Sequence, residues 1–209
     1  FLNNGSKVLM RYIDSTGNGI ENYLANIPVS SVTDSISGAY LNGNIRDITV
    51  SPDTKQFFYI AKTPAGSIGN IYDTTKNTER RVFSSTFSEW IPDLKGLNIY
   101  LTTKAHSTFG GVVYGQSVIK DTFSKVIGYT NGLTSNTSPE GKKILIGSGL
   151  NLSLIDITSG QNITISGLYT LPEKCTWYDE NKIICFGQES TPEGSYPEWW
   201  YQGRISFND

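Results

Sequence analysis

What these 209 residues hold little of narrows the field first. There is one histidine, one methionine and a pair of cysteines, and charged residues make up only 17% of the chain. One His and two Cys cannot supply the clustered ligands that a zinc or similar metal site needs, so neither metal nor cofactor is expected. No run approaches the ~18 apolar residues of a membrane-crossing helix, and no signal peptide opens the chain. Phe1 stands first with no Met before it, so a leader or anchor is expected upstream. No Gly-x-Ser-x-Gly elbow occurs, and Gly147-Ser148-Gly149 lacks the spacing and the lysine of a phosphate-cradling loop. Basic residues are scattered, the densest run (Glu79-Arg80-Arg81) carries its own acid, and the net charge is −2. A nucleic-acid partner, which needs a basic face to displace counterions from phosphates, is therefore not expected.

What is present points to strands. Twelve Tyr, nine Phe and four Trp sit among many Ser, Thr, Asn and Gly, a composition of short strands joined by polar turns. Helix-period patterns are missing. A turn recurs along the chain: Leu2-Asn3-Asn4-Gly5-Ser6-Lys7, Ser51-Pro52-Asp53-Thr54-Lys55, Ile91-Pro92-Asp93-Leu94-Lys95, Ser138-Pro139-Glu140-Gly141-Lys142 and Trp177-Tyr178-Asp179-Glu180-Asn181-Lys182. Anchored on Asn4, Asp53, Asp93, Glu140 and Asp179, the copies lie 49, 40, 47 and 39 residues apart. A period near ~40 is that of a four-stranded propeller blade. Pro at the second position presets φ for a type I turn, and Asp, Asn or Gly after it tolerates local hydrogen bonding or positive φ.

Each anchor precedes a short apolar run, such as Val8-Leu9-Met10, Phe57-Phe58-Tyr59-Ile60 or Ile144-Leu145-Ile146. Runs of that length read as strands buried on both faces. A third strand then ends in Asp before a polar hairpin (Asp73, Asp121, Asp156), and a more polar fourth strand follows. The expected fold is all-β: a β-propeller of four-stranded antiparallel blades, favoured over an irregular sandwich because the anchors recur with their context. The expected blades are 1–44, 45–85, 86–131, 132–167 and 168–209, one propeller segment of about five blades with the first and last incomplete. Phe1 would lie inside a first strand and 204–209 would form a third, so the segment is expected to belong to a longer chain.

The Ser-Pro-Asp/Glu-x-Lys turn followed by an apolar strand resembles the WD40-like repeat of TolB-type propellers, over nearly the whole chain. The Gly-His and Trp-Asp signatures of true WD40 repeats are missing. A narrower resemblance rests on Val8-Leu9-Met10-Arg11-Tyr12, on Leu171-Pro172-Glu173-Lys174-Cys175-Thr176-Trp177 with Ile184-Cys185, and on Tyr196-Pro197-Glu198-Trp199-Trp200-Tyr201-Gln202-Gly203. These are similar to uncharacterised propeller proteins of small-genome, candidate-phylum bacteria. That resemblance implies a membrane-anchored, outward-facing protein with further blades after residue 209, and brings no agreed activity with it.

Few residues carry chemistry. Cys175 and Cys185 flank the last turn at equal distances, on what would be neighbouring strands. A cross-strand disulfide, and with it an oxidising compartment, is weighed against two buried thiols in a reduced protein. His106 lies in the loop Lys104-Ala105-His106-Ser107-Thr108-Phe109-Gly110-Gly111, where Ser107 is too near in sequence to build a triad. Sialidase-type Ser-x-Asp-x-Gly turns are echoed by Ser51-Pro52-Asp53, but Lys55 replaces the Gly. The recurring acids read as turn formers, whereas a glycosidase pair would occur once. Trp199, Trp200 and Tyr201 are candidate contact residues, because such side chains dominate binding hot spots. Strand alternation would instead bury them in a blade core, as expected also for Trp90 and Trp177. Asn-x-Ser/Thr sequons at Asn4, Asn136, Asn151 and Asn162 are what a chain rich in those residues gives by chance.

No catalytic group is assigned. The expected function is a non-catalytic extracytoplasmic propeller, at the cell surface, binding another protein or a surface component through loops near 62–70 and 104–111. Contact with a membrane would come only through an anchor outside the segment. The alternatives are a structural subunit of a surface complex, or a propeller gating a hydrolase domain that lies elsewhere.

Overall fold

A computed structural model describes residues 1–28, 36–41, 44–120, 122–191 and 193–206. Asp121 and segment 207–209, expected in a hairpin and a final strand, lie outside the described residues. The chain divides into two compact units, Phe1–Leu94 and Lys95–Asp209.

The first unit opens on β1 (Lys7–Ile13), β2 (Ile20–Asn26) and β3 (Ser37–Tyr40), a three-stranded antiparallel meander. A four-stranded meander follows: β4 (Ile45–Val50), β5 (Gln56–Thr63), β6 (Gly66–Asp73) and β7 (Thr78–Ser85). Then β8 (Trp90–Lys95) runs through the division. The second unit continues with β9 (Asn98–Thr103), β10 (Gly110–Ser117) and β11 (Phe123–Asn131), and with the four-stranded sheet β12 (Leu133–Thr137), β13 (Lys143–Ser148), β14 (Asn151–Asp156) and β15 (Asn162–Tyr169). A 3-10 turn (Pro172–Lys174) leads into the hairpin β16 (Cys175–Trp177) and β17 (Ile183–Cys185), and α1 (Glu198–Tyr201) follows.

Strand burial follows the apolar runs. Phe57, Phe58, Tyr59 and Ile60 of β5 are fully buried on both faces. Phe57, Tyr59 and Ala61 point to one face, where Leu2, Leu24 and Ile45 close over them and Tyr72 stacks on Phe57 at 5.0 Å between ring centroids. In the second unit Ile144 and Ile146 pack with Tyr100, Val113 and Leu133, while Leu145 on the opposite face packs with Leu152 and Cys175. Trp90 is buried against Phe83 and Phe87, but Trp177 is only half-buried. One expected core strand differs. On β1, Met10 and Tyr12 are about two-fifths exposed and Ile13 more so. The face carrying Val8, Met10 and Tyr12 has no apolar partner among the described residues comparable to the cover over Phe57, Tyr59 and Ala61. Phe1 is exposed and lies in no strand.

Three copies of the turn share one hydrogen-bond frame, although in the first Asn3 and Asn4 are also left-handed, at φ 47° and 55°. Leu2 N–H donates to Lys7 O, Ser51 N–H to Gln56 O and Ser138 N–H to Lys143 O. The fourth residue of each turn has positive φ: Gly5 at 84°, Thr54 at 59° and Gly141 at 72°. Glycine adopts that conformation without steric cost, and Thr54 adopts it with strain. Asn4, Asp53 and Glu140 stand one residue earlier, in the turn. Asp179 stands in the β16–β17 turn, where its Oδ1 accepts the Asn181 N–H at 2.7 Å.

Asp93 is a correction. It lies inside β8, and the turn is formed by Gly96 (φ 57°) and Leu97. Val118 N–H donates to Leu97 O as Thr74 N–H does to Lys55 O and Ile157 N–H to Lys142 O. Lys95, not Asp93, therefore occupies the place of Asp53 and Glu140. The Pro92-Asp93 pair imitated the turn sequence, but only Gly96, three residues after Asp93, supplies the positive φ without strain.

Neighbouring turns are stitched together within each unit. Asn3 N–H donates to Thr54 O at 2.8 Å. Tyr100 Oη–H donates to Gly141 O at 2.7 Å. Glu180 spans the Ser138–Glu140 turn, accepting the Ser138 hydroxyl on Oε1 at 2.6 Å and the Glu140 N–H on Oε2 at 2.9 Å.

The hairpins after the third strands are closed by aspartate. Asp73 Oδ1 accepts the Thr75 hydroxyl and the N–H groups of Thr75 and Lys76, and Asp156 Oδ1 does the same with Ser159 and Thr158. These bonds, the Thr75 hydroxyl first, hold the Asp73 carboxyl down at about 2. Its folded value lies below the ordinary ~3.9, so its stabilisation is whole above about pH 4 and is lost as pH falls towards ~2. Asp73→Asn is expected to cost less than about 1 kcal/mol at neutral pH, because the turn faces solvent. It should also flatten the loss of stability between those two pH values. Urea titrations across that range check this, and an acid limb as steep as the parent's would refute the role given to Asp73.

Candidate binding surface

The site is built on one end of the second unit. The connection between β9 and β10, residues 104–109, is tied down at two points. Ala105 is buried, and His106 O accepts the Gly132 N–H at 2.7 Å. His106 Nδ1 accepts the Thr108 N–H at 3.2 Å and lies 2.9 Å from the Thr108 hydroxyl. Phe109 packs beside the ring at 4.8 Å and is otherwise 69% exposed.

The expected strand at Trp199–Tyr201 is instead helix α1, a second correction. Gly203 at φ 65° closes it, with Gly203 N–H donating to Trp200 O and Arg204 N–H to Trp199 O. This is a Schellman ending, legible in principle from Pro197 before the segment and Gly203 after it. The three aromatics are not core. Trp199 and Trp200 are half-buried and Tyr201 is exposed. Trp200 packs on the cluster of Leu150, Leu171 and Tyr196, with the Lys174 ammonium 4.6 Å from its ring centroid. Although 43% of Tyr201 stays exposed, its phenol donates to Glu173, and partial burial together with that carboxylate pushes it well above the usual tyrosine range.

Residues 193–203 thus run as a strap over this end of the unit. Tyr196 is its buried peg. A Cβ at Gly132 would lie 2.8 Å from Tyr196 O, so only glycine permits that approach. Glu198 is the second peg, accepting the Ser107 N–H on Oε1 at 2.6 Å, with His106 Nδ1 3.4 Å away. Burial raises the Glu198 carboxyl, but the bonds from Ser107 and the nearby His106 outweigh it and hold the group below its ordinary value. His106 and the Trp199–Tyr201 segment, 93 or more positions apart in the chain, therefore meet through Glu198.

Sequence reasoning missed Tyr129. It is 80% exposed, has φ 53°, and sits at an irregularity in the β10–β11 pairing, against Gly110 and next to Lys125. Positive φ is uncommon for a tyrosine and collects at functional sites. Nothing in the local sequence announces it. The other loop expected to make contacts, near 62–70, is mostly strand: β5 and β6 are joined by Pro64 and Ala65 alone.

Cys175 and Cys185 are directly paired across β16 and β17 and form a disulfide, closing a separation of 10 residues. Among the described residues no three His, Cys, Asp or Glu side chains gather to hold a metal. No helix of the described residues is long and apolar enough to cross a membrane. The first unit has an open hollow of about 590 Å³ lined by Ile13, Gly17, Asn18, Gly19, Ile20, Asn44, Ile45 and Arg46, with one charge and no acid.

Antiparallel four-stranded sheets repeated in sequence order, each with its apolar inner strand, define an all-β protein of the propeller class. Within that class the solved structures it resembles include TolB-type propellers. TolB from Acinetobacter baumannii matches 80% of this chain and 43% of its own, at 14% identity and TM-score 0.56. An Agrobacterium tumefaciens protein assigned to TolB matches 79% and 63%, at 17% identity and TM-score 0.57. The acylaminoacyl peptidase of Pyrococcus horikoshii matches 78% of this chain and 31% of its own, at 9% identity and TM-score 0.54. The chain thus spans less than two thirds of each of these proteins. No protein-family model and no curated protein matches the sequence.

Proposed function

We propose that this chain is a non-catalytic, extracytoplasmic propeller segment that binds another protein or a surface component. The binding face in this reading is the strapped end of the second unit. The observation that carries it is the Glu198–Ser107 bond, which fixes loop 104–109 to the strap while Phe109 and the strained Tyr129 stay exposed on either side of Gly110. Rigid, exposed aromatics give contact area at low entropic cost. The disulfide supports an oxidising compartment. Attachment to a membrane would come from an anchor outside these residues.

The test is capture from a native cell-envelope fraction by the parent chain and by a Phe109→Ala/Tyr129→Ala variant with an unchanged melting profile. The variant is expected to retain the partner about ten-fold less well or worse. Equal capture would remove this face from consideration. A second reading is favoured by one observation, the likeness to a peptidase that carries this fold. In that reading the propeller gates a catalytic domain, and a Ser-His-Asp domain in the same reading frame would establish it.

A further inference from the structure

The outer strands of the sheets are not protected alike. On β7, Glu79, Arg80 and Arg81 are all exposed. On β11, Lys125 is exposed and the pairing is irregular up to the strained Tyr129. Charges and bulges of this kind are how natural sheets keep an edge from pairing with another chain. β15 carries no charge, and its one irregularity lies towards its far end, between Ile165 and Tyr169. Between Lys143 and Glu173 the only charged residue is Asp156, and its carboxylate is bonded within its own hairpin.

Among the described residues β15 pairs with β14 alone. At its far end Tyr169 exchanges backbone bonds with Gln188, which closes the edge there. Residues 162–166 remain as an uncharged edge, Asn-Ile-Thr-Ile-Ser, of high strand propensity, with Ile163 51% exposed.

We propose that this edge is a docking site for a second copy of this chain, joined antiparallel through β15 about a two-fold axis at Thr164. The sequence is self-complementary in that arrangement. Thr164 faces its own copy, Ile163 faces Ile165 of the other, and Asn162 faces Ser166. Directly opposed residues share a face, so the exposed Ile163 gains an apolar neighbour and the threonines meet as a favoured cross-strand pair. An uncharged strand meets its copy without like-charge repulsion, which the same operation on β7 would create at Arg80 and Arg81. A charged peptide, by contrast, finds no complement here. Such a contact is isologous and closes at two copies. It uses no residue of the strapped end, so the two proposals fail independently.

Sedimentation velocity of the disulfide-intact chain over a wide concentration range tests this. The expected result is a reversible monomer–dimer equilibrium that Thr164→Lys, which sets two ammonium groups face to face, weakens at least ten-fold with the melting profile unchanged. The pair Asn162→Lys/Ser166→Glu, which sets opposite charges across the axis, should strengthen the dimer at low salt. A monomer at every concentration overturns the proposal. So does a dimer indifferent to Thr164→Lys, or weakened by the Lys/Glu pair. A monomer that instead takes up a strand-forming peptide from another protein assigns the edge elsewhere and also overturns it.

Discussion

Phe58→Ala is expected to lower the stability of the first unit by about 3–5 kcal/mol, the usual cost of emptying a fully buried aromatic site. Phe58 has no exposed surface, and it lies on the face of β5 opposite Phe57 and Tyr59. The site has little freedom to collapse, because the ring occupies the space that Gly69 on β6 leaves open. A Cβ added at Gly69 would lie 2.3 Å from Phe58 Cζ and 3.0 Å from Phe83 Cβ. Gly69→Ala alone should therefore overpack the core, at about 1–3 kcal/mol. In the Phe58→Ala background the same methyl enters the vacated space and should cost much less. Urea unfolding of the two single variants and the double variant gives the coupling. Simple additivity, to within about 0.5 kcal/mol, would show that ring and glycine are not the matched pair described.

Replacing both cysteines with alanine, or reducing the bond, is expected to cost the second unit about 3 kcal/mol. The basis is the loop-closure entropy of a short crosslink of 10 residues. On the usual scaling this lowers the midpoint of that unit by roughly 12 °C and leaves the first unit's transition in place. The bond matters more than its loop length suggests, because Cys175 is itself buried against Leu145 and Leu152 and the hairpin offers only three residue pairs of its own. Calorimetry with and without reductant measures the shift. Two reactive thiols in native material under denaturing, non-reducing conditions would remove the bond, and with it the support it lends to an oxidising compartment.

The strands were legible in the residues because burial on both faces leaves short continuous apolar runs, such as 57–60 and 144–146, that no surface element would carry. The turns were legible because Pro and Gly set φ locally. The failures have physical causes too. At Asp93 a proline-aspartate pair imitated the turn, while the residue that does the work, Gly96, followed it. At Trp199–Tyr201 three aromatics outweighed the quieter signal of Pro197 and Gly203, and a four-residue helix is too short to show periodicity. On β1 the run 8–10 predicts burial that the strand does not show, because what covers a face depends on a neighbour that a local run cannot specify. Of the candidate surface, the sequence offered His106 and the aromatic segment separately. Their meeting depends on Glu198, on Gly132 admitting Tyr196, and on a left-handed Tyr129, none of which has a local signature.

The carboxylate of Glu180 leaves a last consequence. It completes a turn that belongs to the sheet before its own, by holding both Ser138 and the Glu140 amide. A turn finished by the following sheet cannot be fully closed until that sheet is in place. The second unit is then a one-dimensional chain of nearest-neighbour couplings, in which each repeat gains part of its free energy from the next. Opening starts where a neighbour is lacking and travels inward, so the cooperative length is set by how many stitches follow one another and not by the size of any single core.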